Sequence, residues 1–465
     1  MTKRTCKTVI ALLVLTLLFN LGRTEAGEEI KLPPMESKTL SNGLEVLVIE
    51  HHELPVVAFR LVFMTGAAYD PKGQAGLANL TADLLRKGTK SRSATEISEA
   101  IDFVGGSLSA GADRDATFVT CKVLKKYFDT GLDLLVDVVL NPTFAEEEID
   151  RLKSQTTSSL IQQKDDPNVV VRWEFDRQLF GEHPFANPLV GTVKSLESLN
   201  QDDIARFHES FYRPNNAILC VVGDVKSEDV FKKVRREFSG WKKGRFRKTS
   251  FPSPPPVSGY RILLVDKPDL TQSNIKFGHL GVDRSNPDYF PLVLMNYILG
   301  GSFVSRLVNV VRVEKGLTYG IWSWFEMNKE PGAFAVTTFT RNDSTLNAIR
   351  ASLVELKRIR EEGVTEEELK EAKSFYRGYF PLRFETPEQM ATRVLETKIY
   401  GLGKNYLRDY RQNMDKVTIE QVNRVAREYV GPDNLVFVVV SKAEEVRSDL
   451  EKLGPVEVVP YTAIE

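Results

Sequence analysis

The chain has 465 residues, of which 42% are hydrophobic and 27% charged, and its formal net charge is −1. This length is too great for one ordinary hydrophobic core, so we expect a globular protein of two or more domains. With 62 lysines and arginines against 63 acidic residues, the sequence provides no field that would attract nucleic acid or an anionic membrane.

The N-terminus has the pattern of a secretory signal peptide. Lysines and an arginine precede an apolar run over residues 9–21, and the small residue Ala26 precedes a polar stretch. The run is shorter than the roughly 20 apolar residues that span a bilayer, so we expect cleavage, with retention as an anchor as the alternative. The pattern predicts a signal peptide over residues 1–26 and a secreted, periplasmic protein without membrane contact after cleavage.

The next strands and helices follow from the hydrophobic pattern. Residues 44–64 alternate as two strands around a turn at 51–55, and residues 94–103 have a helical period that ends before Gly105 and Gly106. Strands and helices alternate without the regular rhythm of a parallel sheet. We therefore expect an α+β fold with helices on one face of a mainly antiparallel sheet.

Two cysteines follow the N-terminal segment. Cys121 and Cys220 each lie in an apolar run that is typical of a strand. An oxidising compartment permits a disulfide between them, but buried free thiols fit the same pattern. The sequence leaves both possibilities open.

The strongest signal along the chain is an internal repeat. The sequence Pro-x-Asn before an apolar strand begins at Pro214 and again at Pro432, 218 positions later. A run of three glutamates that begins a helix, at 146–148, recurs at 366–368, 220 positions later. Two independent segments at nearly the same offset indicate two homologous domains.

The repeat defines the expected domain bounds. We predict an N-terminal domain over residues 27–241, a proline-rich linker over 242–258 and a C-terminal domain over 259–465. The basic run at 242–248 lies beside the prolines and is interpreted as a solvated linker instead of a nucleic-acid patch. Each domain is expected to have its own core, and the linker to let the two open a cleft.

A helix between Gly76 and Gly88 bears most directly on function. The segment reads Gly-Leu-Ala-Asn-Leu-Thr-Ala-Asp-Leu-Leu-Arg-Lys-Gly-Thr. It resembles the active-site helix of the pitrilysin/insulinase family of zinc peptidases, in which two histidines four residues apart bind zinc and a glutamate between them acts as a base. Asn79, Ala82 and Asp83 stand at those three positions. The motif has therefore lost the groups that bind zinc and accept a proton from water.

The resemblance also implies a third zinc ligand, a glutamate about eight residues before an Asp-Pro turn. Counting back from Asp166-Pro167 places Ser159 at this position. The five histidines of the chain have no histidine or cysteine partner at ligand spacing, so we expect each to be a surface or packing residue. We therefore expect no metal in this chain and zinc in a partner subunit.

The resemblance assigns a role to two residues of the C-terminal half. In the family, an arginine and a tyrosine seven residues apart face the zinc across a cleft and hydrogen-bond the substrate backbone and the oxyanion. Arg312 and Tyr319 match this pair in identity and spacing. A guanidinium and a phenol can both donate to an oxyanion. Without the family resemblance, packing of Tyr319 in a strand and pairing of Arg312 with Glu314 would be favoured.

Small residues mark an expected edge strand. Ser107, Leu108, Ser109 and Ala110 resemble the family's edge strand, which binds an extended peptide by strand addition. Without a metal beside it, this edge can hold a peptide without cutting it, or simply end the sheet. The charged residues 113–115 that follow are expected at a solvated strand end.

The resemblance extends over essentially the whole mature chain and implies two homologous domains with a fold like that of mitochondrial processing peptidase. Some bacterial members of the family pair one chain that carries zinc with another that carries the arginine and tyrosine. The sequence thus predicts a non-catalytic subunit that pairs with a His-x-x-Glu-His relative and acts on extended peptides. A metal-free scaffold or peptide-binding protein and a metallopeptidase with an atypical metal site are the alternatives, and homodimer or heterodimer stays open.

Overall fold

The computed structural model describes residues 34–246 and 249–464, which include two six-stranded sheets. The predicted signal peptide over residues 1–26 lies outside the described residues. The first sheet contains β1 (Met35–Thr39), β2 (Glu45–Glu50), β3 (Val56–Phe63), β4 (Ser107–Ala112), β5 (Thr117–Leu124) and β6 (Ala217–Gly223). The second contains β7 (Tyr260–Asp266), β8 (Gln272–Leu280), β9 (Ile321–Met327), β10 (Pro331–Arg341), β11 (Leu435–Ser441) and β12 (Val456–Pro460).

Helices pack against both sheets. Those of the N-terminal half are α1 (Leu77–Leu84), α2 (Ala94–Phe103), α3 (Phe128–Leu140), α4 (Glu146–Gln163), α5 (Pro167–Phe180), α6 (Val193–Ser198), α7 (Gln201–Phe211) and α8 (Ser227–Glu237). Those of the C-terminal half are α9 (Tyr289–Leu299), α10 (Thr345–Glu362), α11 (Glu366–Tyr379), α12 (Pro387–Ile399), α13 (Tyr406–Lys416), α14 (Ile419–Tyr429) and α15 (Ala443–Leu450). Within the described ranges, none of the helices has the length and apolarity needed to cross a membrane.

The first sheet has the strand order β1-β2-β6-β3-β5-β4. All neighbouring strands are antiparallel except β2 and β6. The central strand β6 is buried along its whole length, because both of its faces are covered and its sequence is almost uniformly apolar. Strand β4 lies at the edge and pairs with β5 alone within the sheet.

The second sheet repeats this arrangement with the order β12-β7-β11-β8-β10-β9. Its two parallel pairs are β11 with β7 and β12 with β7, and the others are antiparallel. The two Pro-x-Asn sequences, at Pro214 and Pro432, stand just before the equivalent buried strands β6 and β11. The predicted α+β fold with two homologous, mainly antiparallel sheets is confirmed.

Each half of the chain contributes one helix to the sheet of the other half. Helix α5 packs on β8 and β11 of the second sheet, whereas α12 packs on β3 and β6 of the first. As a result, Val170 and Phe175 of α5 share one buried hydrophobic cluster with Ala335 and Val438. The expectation of a separate core for each domain is wrong, because apolar residues of both halves form this hydrophobic cluster.

The two cysteines are free and buried. Cys121 lies on β5 and Cys220 on β6, with strand β3 between them. Two strand spacings amount to about 9.5 Å, which exceeds the roughly 7 Å between Cα atoms that a disulfide can bridge. Burial raises the pKa of each thiol to about 12. The structure therefore resolves the open question in favour of two unreactive buried thiols.

Candidate functional site

The motif helix α1 follows Gly76, which is its N-cap residue, and the side chain of Asp70 accepts hydrogen bonds from its first turn. Gly76 has φ of 92°, and a Cβ here would lie 2.5 Å from the carbonyl oxygen of Val190, so only glycine fits. The carboxylate of Asp70 accepts the backbone N–H groups of Gly76 and Ala78, both at 2.8 Å. Burial raises the pKa of Asp70 to about 7, although these donors oppose the shift. The capped turn fixes the direction in which the motif residues project.

Asn79 stands at the first ligand position and is engaged at both ends of its amide. Its Nδ2 donates to the carbonyl oxygen of Leu189 at 2.8 Å, and its Oδ1 accepts the backbone N–H of Ala112 at 3.2 Å. The side chain thus connects helix α1 to the end of the edge strand β4. Because both polar ends of the amide serve this connection, Asn79 acts as a structural residue in this position.

The other two motif positions offer little to a metal. Ala82 is fully buried, and Asp83 is half-buried. Burial raises the pKa of Asp83, while the nearby Arg86 and Lys87 oppose that shift. A single half-buried carboxylate beside an apolar residue has neither the ligands nor the base that hydrolysis at a zinc ion requires.

At the predicted third ligand position, Ser159 is exposed and its neighbour Leu160 is buried. The side chain of Ser159 is exposed, and its hydroxyl accepts a hydrogen bond from Gln163 at 3.0 Å, one turn further along α4. Leu160 is buried in the same hydrophobic cluster as Leu80 and Leu84 of the motif helix. The inward-facing residue of α4 is therefore a leucine. The hydrophobic period of α4 is the sequence signal that identifies this buried face of the helix.

Among the described residues, no group of three or more histidine, cysteine, aspartate or glutamate side chains could hold a metal ion. Two of the histidines have structural roles. His183 Nδ1 accepts the backbone N–H of Phe185 at 3.2 Å, and His208 Nε2 lies 2.9 Å from the carbonyl oxygen of Val139. Burial lowers the pKa of each imidazole to about 4, so both are neutral packing groups at physiological pH.

The charged residues 113–115 do not form the solvated strand end that the sequence suggested. The side chain of Arg114 is only 12% exposed. Its guanidinium donates to Glu326 at 2.9 Å, to Asp176 at 3.2 Å and to the carbonyl oxygen of Phe185 at 3.0 Å. Asp176 lies on α5 and Glu326 on β9, so Arg114 joins the N-terminal half to an edge of the second sheet.

Asp115 makes a second connection between the halves, through hydrogen bonds to Lys329. It is buried and accepts the backbone N–H of Lys329 at 3.0 Å. The ammonium group of Lys329 in turn donates to the carbonyl oxygens of Met64 and Asp115, at 3.2 and 3.1 Å. Burial raises the pKa of Asp115 to about 6 despite these contacts. The sequence could not reveal this cluster, because Lys329 lies 214 positions after Asp115 and 265 positions after Met64.

Arg312 and Tyr319 lie close together in sequence and reach the surface of the C-terminal half. Arg312 belongs to a wide, π-type helical segment, Val308–Glu314, and its guanidinium lies 5.8 Å from the centre of the Phe303 ring. Tyr319 is 82% exposed. The hydroxyl of its neighbour Thr318 donates to the carbonyl oxygen of Gly320 at 2.9 Å, which fixes the loop beneath the tyrosine.

The structure does not place this pair in the immediate surroundings of the motif helix. The main contacts of α1 are with β4, β5, α4 and α7, all in its own half. Exposed apolar side chains accompany Arg312 instead, namely Phe303, Val304 and Val313. The arginine and tyrosine are thus available to a molecule that approaches the C-terminal half from outside.

The predicted edge strand is observed as β4, and the motif helix covers part of its outer edge. The guanidinium of Arg86 donates to the carbonyl oxygen of Leu108 at 3.4 Å, and the N–H of Ala112 is held by Asn79. Ala110 lies midway and presents its backbone groups on the same side of the strand. Ser107 and Ser109 are exposed. A peptide could therefore pair with only a short part of this edge.

Comparisons with known proteins agree with this architecture. The profile of the insulinase family (peptidase family M16) matches residues 45–193, and that of the peptidase M16 inactive domain matches residues 198–376. An uncharacterised zinc protease of Rickettsia bellii is 29% identical over 79% of this chain and 86% of its own length. A protein of Helicobacter pylori described as a non-peptidase homolog is 24% identical over 86% of this chain and 92% of its own length.

A solved structure is similar over nearly the whole fold. The crystal structure described as the peptidase M16 inactive domain from Pseudomonas fluorescens has a TM-score of 0.82 and 26% sequence identity, and it covers 88% of this chain and 97% of its own. Two homologous sheets and a degenerate motif helix define a peptidase-like protein without the peptidase's metal ligands. The chain belongs to the insulinase (M16) family. It is an inactive homologue within that family, which is consistent with a non-catalytic role.

Proposed function

We propose that this chain is the non-catalytic subunit of a secreted, periplasmic two-chain zinc peptidase. It pairs with a zinc-bearing relative that carries His-x-x-Glu-His and contributes Arg312 and Tyr319 to the shared site. The single observation that carries the proposal is the contrast between the two sites. The motif residue Asn79 makes structural hydrogen bonds, while Tyr319 is exposed and Arg312 is half-buried beside the exposed Phe303.

The surface around Arg312 supports pairing with another protein. Phe303, which is 74% exposed, lies 5.8 Å from the guanidinium of Arg312. Val313, next to Arg312 in the chain, is 68% exposed, and Tyr319 is 82% exposed. Large exposed apolar side chains that cluster on a soluble protein commonly mark an interaction site. A partner that covers them would remove water from Arg312 and Tyr319, and their hydrogen bonds to a substrate would strengthen in the drier site.

The role of the two residues follows from their donors. Arg312 and Tyr319 would bind the peptide backbone and donate to the oxyanion that forms when the scissile carbonyl is attacked. Removal of one such donor lowers turnover by roughly 10²- to 10³-fold in well-studied hydrolases. A zinc ion in the partner subunit would supply an activated water, and Arg312 and Tyr319 of this chain would orient the peptide and donate hydrogen bonds to it.

A metal-free peptide-binding protein is the second candidate. The observation that favours it is the edge strand β4, whose exposed Ser107 and Ser109 flank the accessible backbone near Ala110. The atypical metallopeptidase has no such support, because the amide of Asn79 is engaged at both ends and Ser159 is an exposed residue whose hydroxyl bonds to Gln163.

The proposal is tested by activity that requires both chains. The zinc-bearing relative is to be purified with and without this protein, and peptide cleavage measured for each chain alone and for the mixture. We expect cleavage only in the mixture, together with a complex of defined stoichiometry by size-exclusion chromatography with light scattering. Full activity of the zinc-bearing chain by itself would refute the proposal, and peptide binding by this chain alone would favour the second candidate.

A further inference from the structure

A cavity of about 200 Å³ in the C-terminal half plays no part in the proposed function. It lies between α12, α13 and the turn that precedes α12. Four charged side chains line it, namely Arg284, Arg383, Arg393 and Glu396. Tyrosine rings, among them Tyr406, form much of the remaining wall.

The charges in the lining do not balance. Arg393 Nη1 donates to both carboxylate oxygens of Glu396 at 2.7 Å, and Arg383 Nη2 lies 3.9 Å from the same carboxylate. The single negative charge of Glu396 therefore compensates two arginines, and Arg284 adds a third positive charge. Arg60, on strand β3, also acts on Glu396 from outside the cavity. The lining has a net positive charge even when Glu396 is ionised.

Hydrogen-bond donors also exceed acceptors. Arg393 Nε is buried and has no hydrogen-bond partner within the described part of the chain. Arg284 Nη2 donates to the hydroxyl oxygen of Tyr406 at 2.6 Å, and its guanidinium stacks 3.5 Å from the centre of the Tyr289 ring. Burial raises the pKa of Tyr406, so its hydroxyl keeps a proton that it can donate. An unpartnered buried N–H of a charged group is costly unless a ligand accepts from it.

We propose that this cavity binds a small oxyanion, a phosphate or a carboxylate group. Both ligand types match the planar fork of donors that arginine presents. The volume is below the roughly 300–1,000 Å³ of pockets that hold drug-sized molecules, so the ligand is a small ion or a terminal group. Its negative charge would offset the excess of guanidinium groups that line the cavity. This site is separate from Arg312 and Tyr319, and its test does not require the zinc-bearing partner.

The experiment titrates the full chain with sodium phosphate and with sodium acetate by isothermal calorimetry. Sodium chloride at matched ionic strength serves as the reference for general screening of charge. The diagnostic variant is Arg383→Gln, which leaves the bonds between Arg393 and Glu396 in place. The matched control is Arg341→Gln, an exposed arginine whose partner Asp343 is also exposed.

We expect saturable binding of phosphate, acetate or both by the wild type, weakened roughly tenfold or more in Arg383→Gln and unchanged in Arg341→Gln. The double variant Arg393→Gln/Glu396→Gln removes one positive and one negative charge, so the net charge of the lining is kept while the donors of Arg393 are lost, and we expect it to bind more weakly as well. Phosphate binding without acetate identifies a tetrahedral oxyanion, and the reverse a carboxylate. The proposal is overturned by no saturable binding beyond that of chloride, or by equal affinity in the wild type and both cavity variants.

Discussion

The substitution Arg114→Met tests whether buried ion pairs hold the two halves of the chain together. Arg114 donates to Asp176 and Glu326, whose side chains are 13% and 32% exposed. Lys276 Nζ lies 3.3 Å from Asp176 and would still compensate that carboxylate, so the charge left without a partner is mainly that of Glu326. Loss of one partner of a buried pair costs about 3–5 kcal/mol, and the partial compensation by Lys276 places our expectation near 3 kcal/mol.

The assay is urea unfolding followed by circular dichroism at pH 7, with Arg341→Met as the matched control. Arg341 is 72% exposed, and we expect its replacement to leave the unfolding midpoint nearly unchanged. The second variant, Arg114→Met/Glu326→Gln, removes the stranded charge and should recover part of the loss. A loss below about 1 kcal/mol in Arg114→Met, or no recovery in the double variant, would refute the reasoning.

Three further predictions concern the capped helix, the metal and the linker. The pKa of Asp70 in the folded chain, about 7, lies above its ordinary value of 3.8. Between these two values the folded state keeps a proton that the unfolded state has lost, so the free energy of unfolding should fall as pH rises from about 4 to about 7. Asp70→Asn should flatten this part of the profile of unfolding free energy against pH, and an unchanged slope would contradict the assignment. Elemental analysis of the chain purified without chelator should find no stoichiometric zinc, whereas one zinc per chain that is lost in Asp83→Ala would contradict the account of the motif. Limited trypsin digestion should cut first within residues 242–246, which are mostly exposed. The fragments should stay associated, because α5 and α12 each pack on the sheet of the other half. First cuts inside either sheet would contradict the predicted linker.

The duplicated fold could be predicted because its signals are local. The Pro-x-Asn sequences at Pro214 and Pro432 each lead into an apolar strand, and those strands, β6 and β11, lie at equivalent central positions of the two sheets. The strand and helix patterns depend on neighbouring residues alone. The loss of the zinc motif was equally visible, because the three motif positions lie within five residues of one helix.

The remaining features depend on contacts between distant segments, which one sequence does not reveal. The exchange of α5 and α12 is one such case, since an amphipathic helix does not show in its sequence which sheet it will cover. Arg114 is another, because its partners Asp176 and Glu326 follow by 62 and 212 positions. A charged residue at a strand end is ordinarily solvated, so burial here could be recognised only after the two halves were seen together.

The surroundings of Arg312 and Tyr319 are also visible only in the structure. Spacing identified Arg312 and Tyr319 as candidates, but spacing could equally have described a packed tyrosine and a surface ion pair. The exposure of Tyr319 and the stacking of Arg312 near the exposed Phe303 favour a surface that another molecule completes. The pairing itself is a proposal that rests on this surface.

The most direct test of the proposal measures assembly and turnover separately in the two-chain mixture. The variants are Arg312→Ala, Tyr319→Phe and their combination, with Arg341→Ala and Tyr379→Phe as exposed controls on the same half. Since the two residues act mainly after the carbonyl is attacked, kcat should fall by roughly one to three orders of magnitude while the complex still forms with its normal affinity. A fall of less than about threefold in the double variant, with the complex intact, would contradict a shared active site and leave this chain as a scaffold.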